Sequence, residues 1–322
     1  MTPATPLRTM ARGVLLTTSV AAAALVVHLF SFGLAADGSD LDHQRHFNDS
    51  YKIFSLTLPE ALSLCGEEVP LGKLDVRERL DRELLVNTYW QSNSLLAHKR
   101  AARWFPVIEP ILAREGVPDD MKYLAVIESG LTNVVSPAGA TGFWQFMKET
   151  AIQCGLQVDH EVDERYNVVR STEAACRYLK EAHAKYGSWA MAAASYNLGP
   201  AGVEKQMARQ RTSDYYALQL PEETGRYVFR MLAVKEILND PARYGFHLRK
   251  KDLYTPYRTR EVPVTGAIED LADWAIRQGT DYRTLKLLNP WLRDNTLTNS
   301  KGRTYIVLMP AADFDTAAAD ED

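Results

Sequence analysis

The 322-residue sequence predicts a mainly α fold that carries a small β-α-α-β unit near its C-terminus. Three observations predict it. Between residues 75 and 240 apolar residues recur at three- and four-residue spacing, with no alternating strand pattern. One stretch of that span, WAMAAASYNL, is apolar on almost every side until Ser195, as a helix buried all round must be. From about residue 256 the pattern changes to short strand and helix signals in the order REVPVTG, IEDLADWAIRQG, YRTLKLLNPWL and TYIVLMP.

The elements follow in chain order. Residues 1–36 hold Arg8 and Arg12 ahead of a long run without acid, Lys or Arg, followed by Asp37 and Asp40, and read as an export signal. Gly33-Leu34-Ala35 offers small residues for signal cleavage, while the run is also long enough to span a bilayer once with its positive end inside. Cleavage and a single-pass membrane anchor both fit, and either puts the folded part in the periplasm or cell envelope. Residues 37–74 read as a polar tether and N-terminal extension. The dense charge and apolar spacing of residues 75–115 predict two or more amphipathic helices, punctuated by Gly116 and Pro118.

DDMKYLAVIESGL predicts a helix whose two Asp sit at its start, where the macrodipole favours them. Lys122 and Ser129, seven apart, are expected on a watered face, and Glu128 is rotated away from them among Met121, Leu124, Ala125 and Leu131. The loop TNVVSPAGATG and a further helical stretch come next. Thr172 is expected to cap EAACRYLKEAHAKY, Ser188 to cap WAMAAASYNL, and Pro221 to open EETGRYVFRMLAVKEILN. Residues 75–245 are thus expected to form one helical domain, 256–310 a small module, and 311–322 a disordered acidic tail.

Composition excludes several functions. The net charge of −4, with Lys and Arg spread along the chain, gives no footprint for nucleic acid. Cys65, Cys154 and Cys176 are too few and odd in number for a disulfide framework. Neither HExxH nor CxxC nor a close His/Asp cluster offers metal ligands, and there is no nucleophile elbow or phosphate loop, so no metal or cofactor is expected. What remains is a carboxylate, Glu128, in an apolar helix, together with a Gly-rich loop and a set of Trp, Tyr, Asn and Gln. That combination suits sugars, since aromatic faces pack on pyranose rings and amides pair with hydroxyls. A carboxyl group in low dielectric holds its proton to higher pH and is suited to protonating a glycosidic oxygen. An ion pair between Glu128 and a core Arg is the competing reading, and the helix pattern alone leaves both open.

Four motifs stand in order: Glu128-Ser129; Ser136-Pro-Ala-Gly-Ala-Thr-Gly142-Phe-Trp-Gln145; Ser195-Tyr196-Asn197-Leu-Gly199-Pro200; and Glu223-Thr224-Gly-Arg-Tyr227-Val228. In order and spacing, with Asp163-Glu164-Arg165 between them, they resemble the lytic transglycosylases of bacterial cell walls, in the lysozyme-like SLT-domain superfamily. The Trp before Gln145 is most like the D type of membrane-bound lytic murein transglycosylase. The resemblance implies a lysozyme-like helical domain that cleaves the β-1,4 bond between N-acetylmuramic acid and N-acetylglucosamine in peptidoglycan without water, leaving 1,6-anhydromuramoyl ends. It implies Glu128 as the sole acid/base, with Ser136, Gly142, Gln145, Tyr196, Asn197 and Tyr227 lining the cleft. Ser195 departs from the Ala often found there. The C-terminal module is similar to a LysM glycan-binding module but lacks its usual Gly-Asp-Thr start, so glycan binding and packing on the catalytic domain both remain open. A hydrolase on the same scaffold, with Asp163, Glu164 or Glu173 as base, and a silent wall-binding scaffold are the alternatives.

Overall fold

The computed structural model describes residues 40–50 and 52–314. The export segment, residues 1–36, lies outside the described residues, as does the tail from residue 315. Two compact units are present, residues 1–55 and 56–322. In the first, the stretch expected to be a tether is helical over Asp40–Ser50 (α1). Side-chain pairs one turn apart support it, Arg45 with Asp42 at 3.1 Å and Gln44 with Asn48 at 3.0 Å. No described helix is long and apolar enough to cross a membrane.

The second unit opens with a two-residue hairpin, β1 (Ser63–Leu64) and β2 (Glu67–Glu68), whose flanking Leu62, Leu64, Val69 and Leu71 enter the main core. Then come α2 (Leu74–Tyr89) and α3 (Gln91–Glu115). Helix α3 continues through Pro106 and Pro110, each of which removes one backbone donor, and stops at Gly116 in the left-handed region. A single 3-10 turn from Asp119 leads into α4 (Lys122–Ser129), stopped by left-handed Gly130. The helical domain is completed by α5 (Lys148–Gln153), α6 (Val168–Tyr186), α7 (Trp189–Leu198), α8 (Pro200–Gln210) and α9 (Glu222–Asn239). Helix α9 is the hub: ten of its residues are buried, and it packs against α2, α4 and α7.

Ser188 caps α7 by accepting from the Met191 N–H, as its position predicts. Glu67 reinforces that end, accepting from Ser188 Oγ and the N–H groups of Trp189 and Ala190. Two expectations are corrected. Helix α6 starts four residues before Thr172, because Asn167 accepts from the Arg170 N–H and so caps a start made of two β-branched residues. Thr172 lies buried inside the helix, its hydroxyl bonded to Val168 O and accepting from the Trp144 indole. The expected watered face of α4 is also absent: Lys122 is only 8% exposed, held between Glu109 and Asp119 at 2.6 Å each and lying over the Phe105 and Tyr123 rings. Burial works against the Lys122 charge, but the two carboxylates outweigh it and keep its pKa above the normal value. Ser129 faces protein as well, donating to Phe143 O at 2.8 Å.

The C-terminal module runs β3 (Thr259–Val264), α10 (Leu271–Arg277), α11 (Tyr282–Leu288) and β4 (Tyr305–Pro310). Its strands pair antiparallel from Thr259 with Pro310 to Val264 with Tyr305. Asp270 and Asp281 cap its helices. It has a small core of its own, around Leu271, Leu285, Trp291 and Val307, and Val162 of the helical domain is part of that core. Asp163 N donates to Trp291 O and Arg293 N to Glu161 O. The Glu161 carboxylate accepts from both the backbone and the hydroxyl of Thr298.

Candidate active site

The last turn of α4 presents Glu128, half-buried, toward α9. Its side-chain partner is the hydroxyl of Tyr227, which donates to Oε1. Tyr227 is 1% exposed. No Lys or Arg lies within ion-pair distance of Glu128 among the described residues, so the competing ion-paired reading of this carboxylate does not hold. Burial raises the Glu128 pKa; the Tyr227 bond and the charge of Arg230 pull it back in part, and the charge of Glu223 adds to the rise. Burial and then the nearby Glu128 charge push the phenols of Tyr196 and Tyr227 far above 10, so both stay protonated donors.

Tyr196 belongs to the same cluster through α7. Its hydroxyl donates to Trp144 O at 2.8 Å, and its ring meets Tyr178 and Phe146 edge-on. Asn197 accepts from Thr224 Oγ1 at 2.7 Å and its amide points to Glu223 at 3.4 Å, which ties the end of α7 to the start of α9. The cluster of Glu128, Tyr227, Tyr196 and Asn197 is thus held by three helices that bury their other faces in one core.

The loop from 131 to 147 meets this cluster at Trp144 O, the acceptor of the Tyr196 hydroxyl. Ser136 Oγ accepts from the Ala140 N–H, and the Gln145 amide donates to Val134 O and Gly142 O, so both side chains shape the loop from within. Gln145 itself sits at φ 48°. Gly142 has φ 83°, and a Cβ there would lie 2.0 Å from Arg165 O, so only glycine fits. Arg165 forks onto Asp163 at 2.8–3.3 Å and donates to Gly139 O and Phe146 O, fastening the loop to the 163–166 turn. Trp144 is wholly buried and anchors the loop to Thr172 of α6.

The alternative bases are occupied. Asp163 is held by Arg165, Glu164 by the Gln157 N–H and Arg170, and Glu173 by Arg114 and Arg170. The sequence reading missed Arg230, and it placed Glu223 in the fourth motif without giving it a role. Both lie on the Tyr227 face of α9, three residues after it and four before it, and that spacing is the signal that points to them. Among the described residues no cluster of His, Cys, Asp and Glu can hold a metal, and the three cysteines are free thiols.

Residues 106–219 match the transglycosylase SLT domain. The SLT match spans Glu128, the loop and the Tyr196-Asn197 turn, and ends just before the Tyr227 helix. Residues 260–313 match the soluble lytic transglycosylase C-terminal LysM-like domain. Two relatives, both membrane-bound lytic murein transglycosylase D, from Escherichia coli K12 and Escherichia coli O6:H1, are each 29% identical over 252 residues, 76% of this chain and 54% of theirs. The chain spans about half the length of the curated relatives it matches.

Proposed function

We propose that the chain is a peptidoglycan lytic transglycosylase of the cell envelope, cleaving between N-acetylmuramic acid and N-acetylglucosamine with Glu128 as its single acid/base. The observation that carries this reading is the Glu128–Tyr227 pair: Glu128, inside the matched SLT domain, is a carboxyl group with its pKa raised by burial and, among the described residues, with no cation within ion-pair distance. Protonated Glu128 gives its proton to the glycosidic oxygen as the bond to the muramoyl anomeric carbon breaks. The muramoyl 6-hydroxyl oxygen then bonds to that carbon and loses its proton to the Glu128 carboxylate. The ring closes, the leaving sugar is neutral, and Glu128 is protonated again, so no water enters.

Tyr227 steadies the carboxylate midway through this cycle, when it is charged. The occupied state of Asp163, Glu164 and Glu173 supports a route without a second base. Glu223, whose charge reaches Glu128, is the carboxylate that a hydrolase would recruit. The relatives' membrane-bound naming and the reading of residues 1–36 support an envelope location, with the LysM-like module as a second contact to wall glycan. Mass spectrometry of the products released from sacculi tests the reaction. 1,6-Anhydromuramoyl ends are the expected result, and reducing ends one water heavier overturn it in favour of a hydrolase.

A further inference from the structure

Glu128 occupies the last turn of α4, and a helix C-terminus is a poor place for a carboxylate. The unpaired carbonyls there carry partial negative charge, which opposes a second negative charge beside them. Around Glu128 these carbonyls are taken one by one. Val126 O accepts from the Gly130 N–H, and Ser129 O accepts from the Thr132 hydroxyl. Gly130 O accepts from Arg100 of α3 at 3.1 Å. Ile127 O, the carbonyl of the peptide bond that enters Glu128, accepts from Arg230 of α9 at 2.8 Å. The chain then turns away through two left-handed residues, Gly130 and Leu131, at φ 59° and 58°. Arginines from two other helices thus supply the donors at Gly130 O and Ile127 O.

The two arginines differ in what else they reach. Arg230 stands one turn after Tyr227 on α9, so one face of that helix touches both Glu128 and the carbonyl just before it. The charged and titratable groups that act on Glu128 are Glu223, Tyr227 and Arg230 of α9 and Tyr196 of α7. Arg230 is the cation among them, and Arg100 is not of their number. The guanidinium one turn earlier, Arg226, is already engaged by Glu83 at 2.7 Å and Glu222 at 3.7 Å. Among the described residues no carboxylate lies within ion-pair distance of Arg230, which leaves its charge to act on Glu128. Glu223 pushes Glu128 toward the neutral acid, and Arg230 pulls it toward the carboxylate. We propose that Arg230 is a positioning residue for the reaction: its N–H fixes the turn that carries Glu128, and its charge steadies the carboxylate that Glu128 becomes midway. The proposal rests on the reading of Glu128 as the acid/base.

The test follows the Glu128 carboxyl itself, by NMR titration of the full chain carrying isotope-labelled glutamate, with the resonance assigned by its loss in Glu128→Gln. Arg230→Gln is expected to move the Glu128 midpoint to higher pH, and the high-pH limb of kcat/KM with it, while kcat on sacculi falls at least ~5-fold. Arg230→Lys keeps a cation without the planar fork and is expected to hold the midpoint close to that of the unaltered chain. Arg100→Gln removes the comparable contact at Gly130 O and is expected to cost stability while leaving the midpoint in place. A midpoint that stays or falls in Arg230→Gln, or a kcat that does not drop, overturns the proposal. Arg230→Met, which keeps the apolar stem, gives the same measurement should the glutamine variant not fold. An equal rise in Arg100→Gln also overturns it, because loss of a carbonyl contact is then sufficient. The titration needs no turnover, so failure of the acid/base reading shows separately, as activity retained in Glu128→Gln.

Discussion

Glu128 is a carboxylate that the fold does not neutralise with a cation. Its half-buried position favours the protonated acid, and the Tyr227 hydroxyl is the main force in the other direction. Removing that hydroxyl in Tyr227→Phe therefore raises the Glu128 pKa further. Because the acid is active only while protonated, activity falls as pH rises through that pKa. The high-pH limb of kcat/KM is thus expected to move to higher pH in Tyr227→Phe, with a lower maximum because the charged intermediate state loses its donor. A limb that stays in place or moves down contradicts this account. The helix pattern made Glu128 legible in the sequence, since the residues at three- and four-residue spacing around it are apolar. Its partner was legible only through a motif: Tyr227 lies 99 residues away, and pairing over that distance is a property of packing, which periodicity does not encode.

At the scale of elements, the loop from 131 to 147 depends on one close backbone approach. Gly142→Ala puts a methyl group 2.0 Å from Arg165 O at a φ of 83°. It is expected to destabilise the protein by about 3 kcal/mol or more and to lower activity in the fraction that folds, as measured by urea unfolding and turnover. An unchanged unfolding midpoint rules out the approach described here. The sequence made Gly142 visible as a loop glycine, but not Arg165 as the residue that fastens the loop, because a surface-like Arg two residues from an Asp looks the same in any turn. The α6 start illustrates the same limit. Thr172 is a good cap by type, but Asn167 is an equally good one further upstream, and tertiary burial of the Trp144 indole against Thr172 decides between them. The cap at Ser188 was unambiguous because it stands directly before its helix with no upstream rival in the same segment.

Over the whole molecule, the 157–166 segment joins the site to the C-terminal module. It carries Arg165 beneath the loop on one side and gives Val162 to the module's core on the other. Deleting residues 256–322 exposes Val162 and frees Glu161, and is expected to lower the melting temperature by roughly 5 °C, on about 2 kcal/mol of lost burial. Cleavage is expected to weaken with it; a truncated protein with unchanged melting and turnover shows that the segment stands alone. The sequence showed the module's β-α-α-β order plainly, but not this attachment, since Val162 sits in a short polar turn whose bridge partner, Leu292, lies far along the chain. The most direct test of the central claim is turnover of sacculi by Glu128→Gln, which keeps the shape and the Tyr227 bond but cannot exchange the proton. The account predicts a folded protein with activity reduced by about 10³-fold or more. A folded Glu128→Gln protein that keeps activity within ~10-fold of the unaltered chain contradicts the role of Glu128 as acid and base.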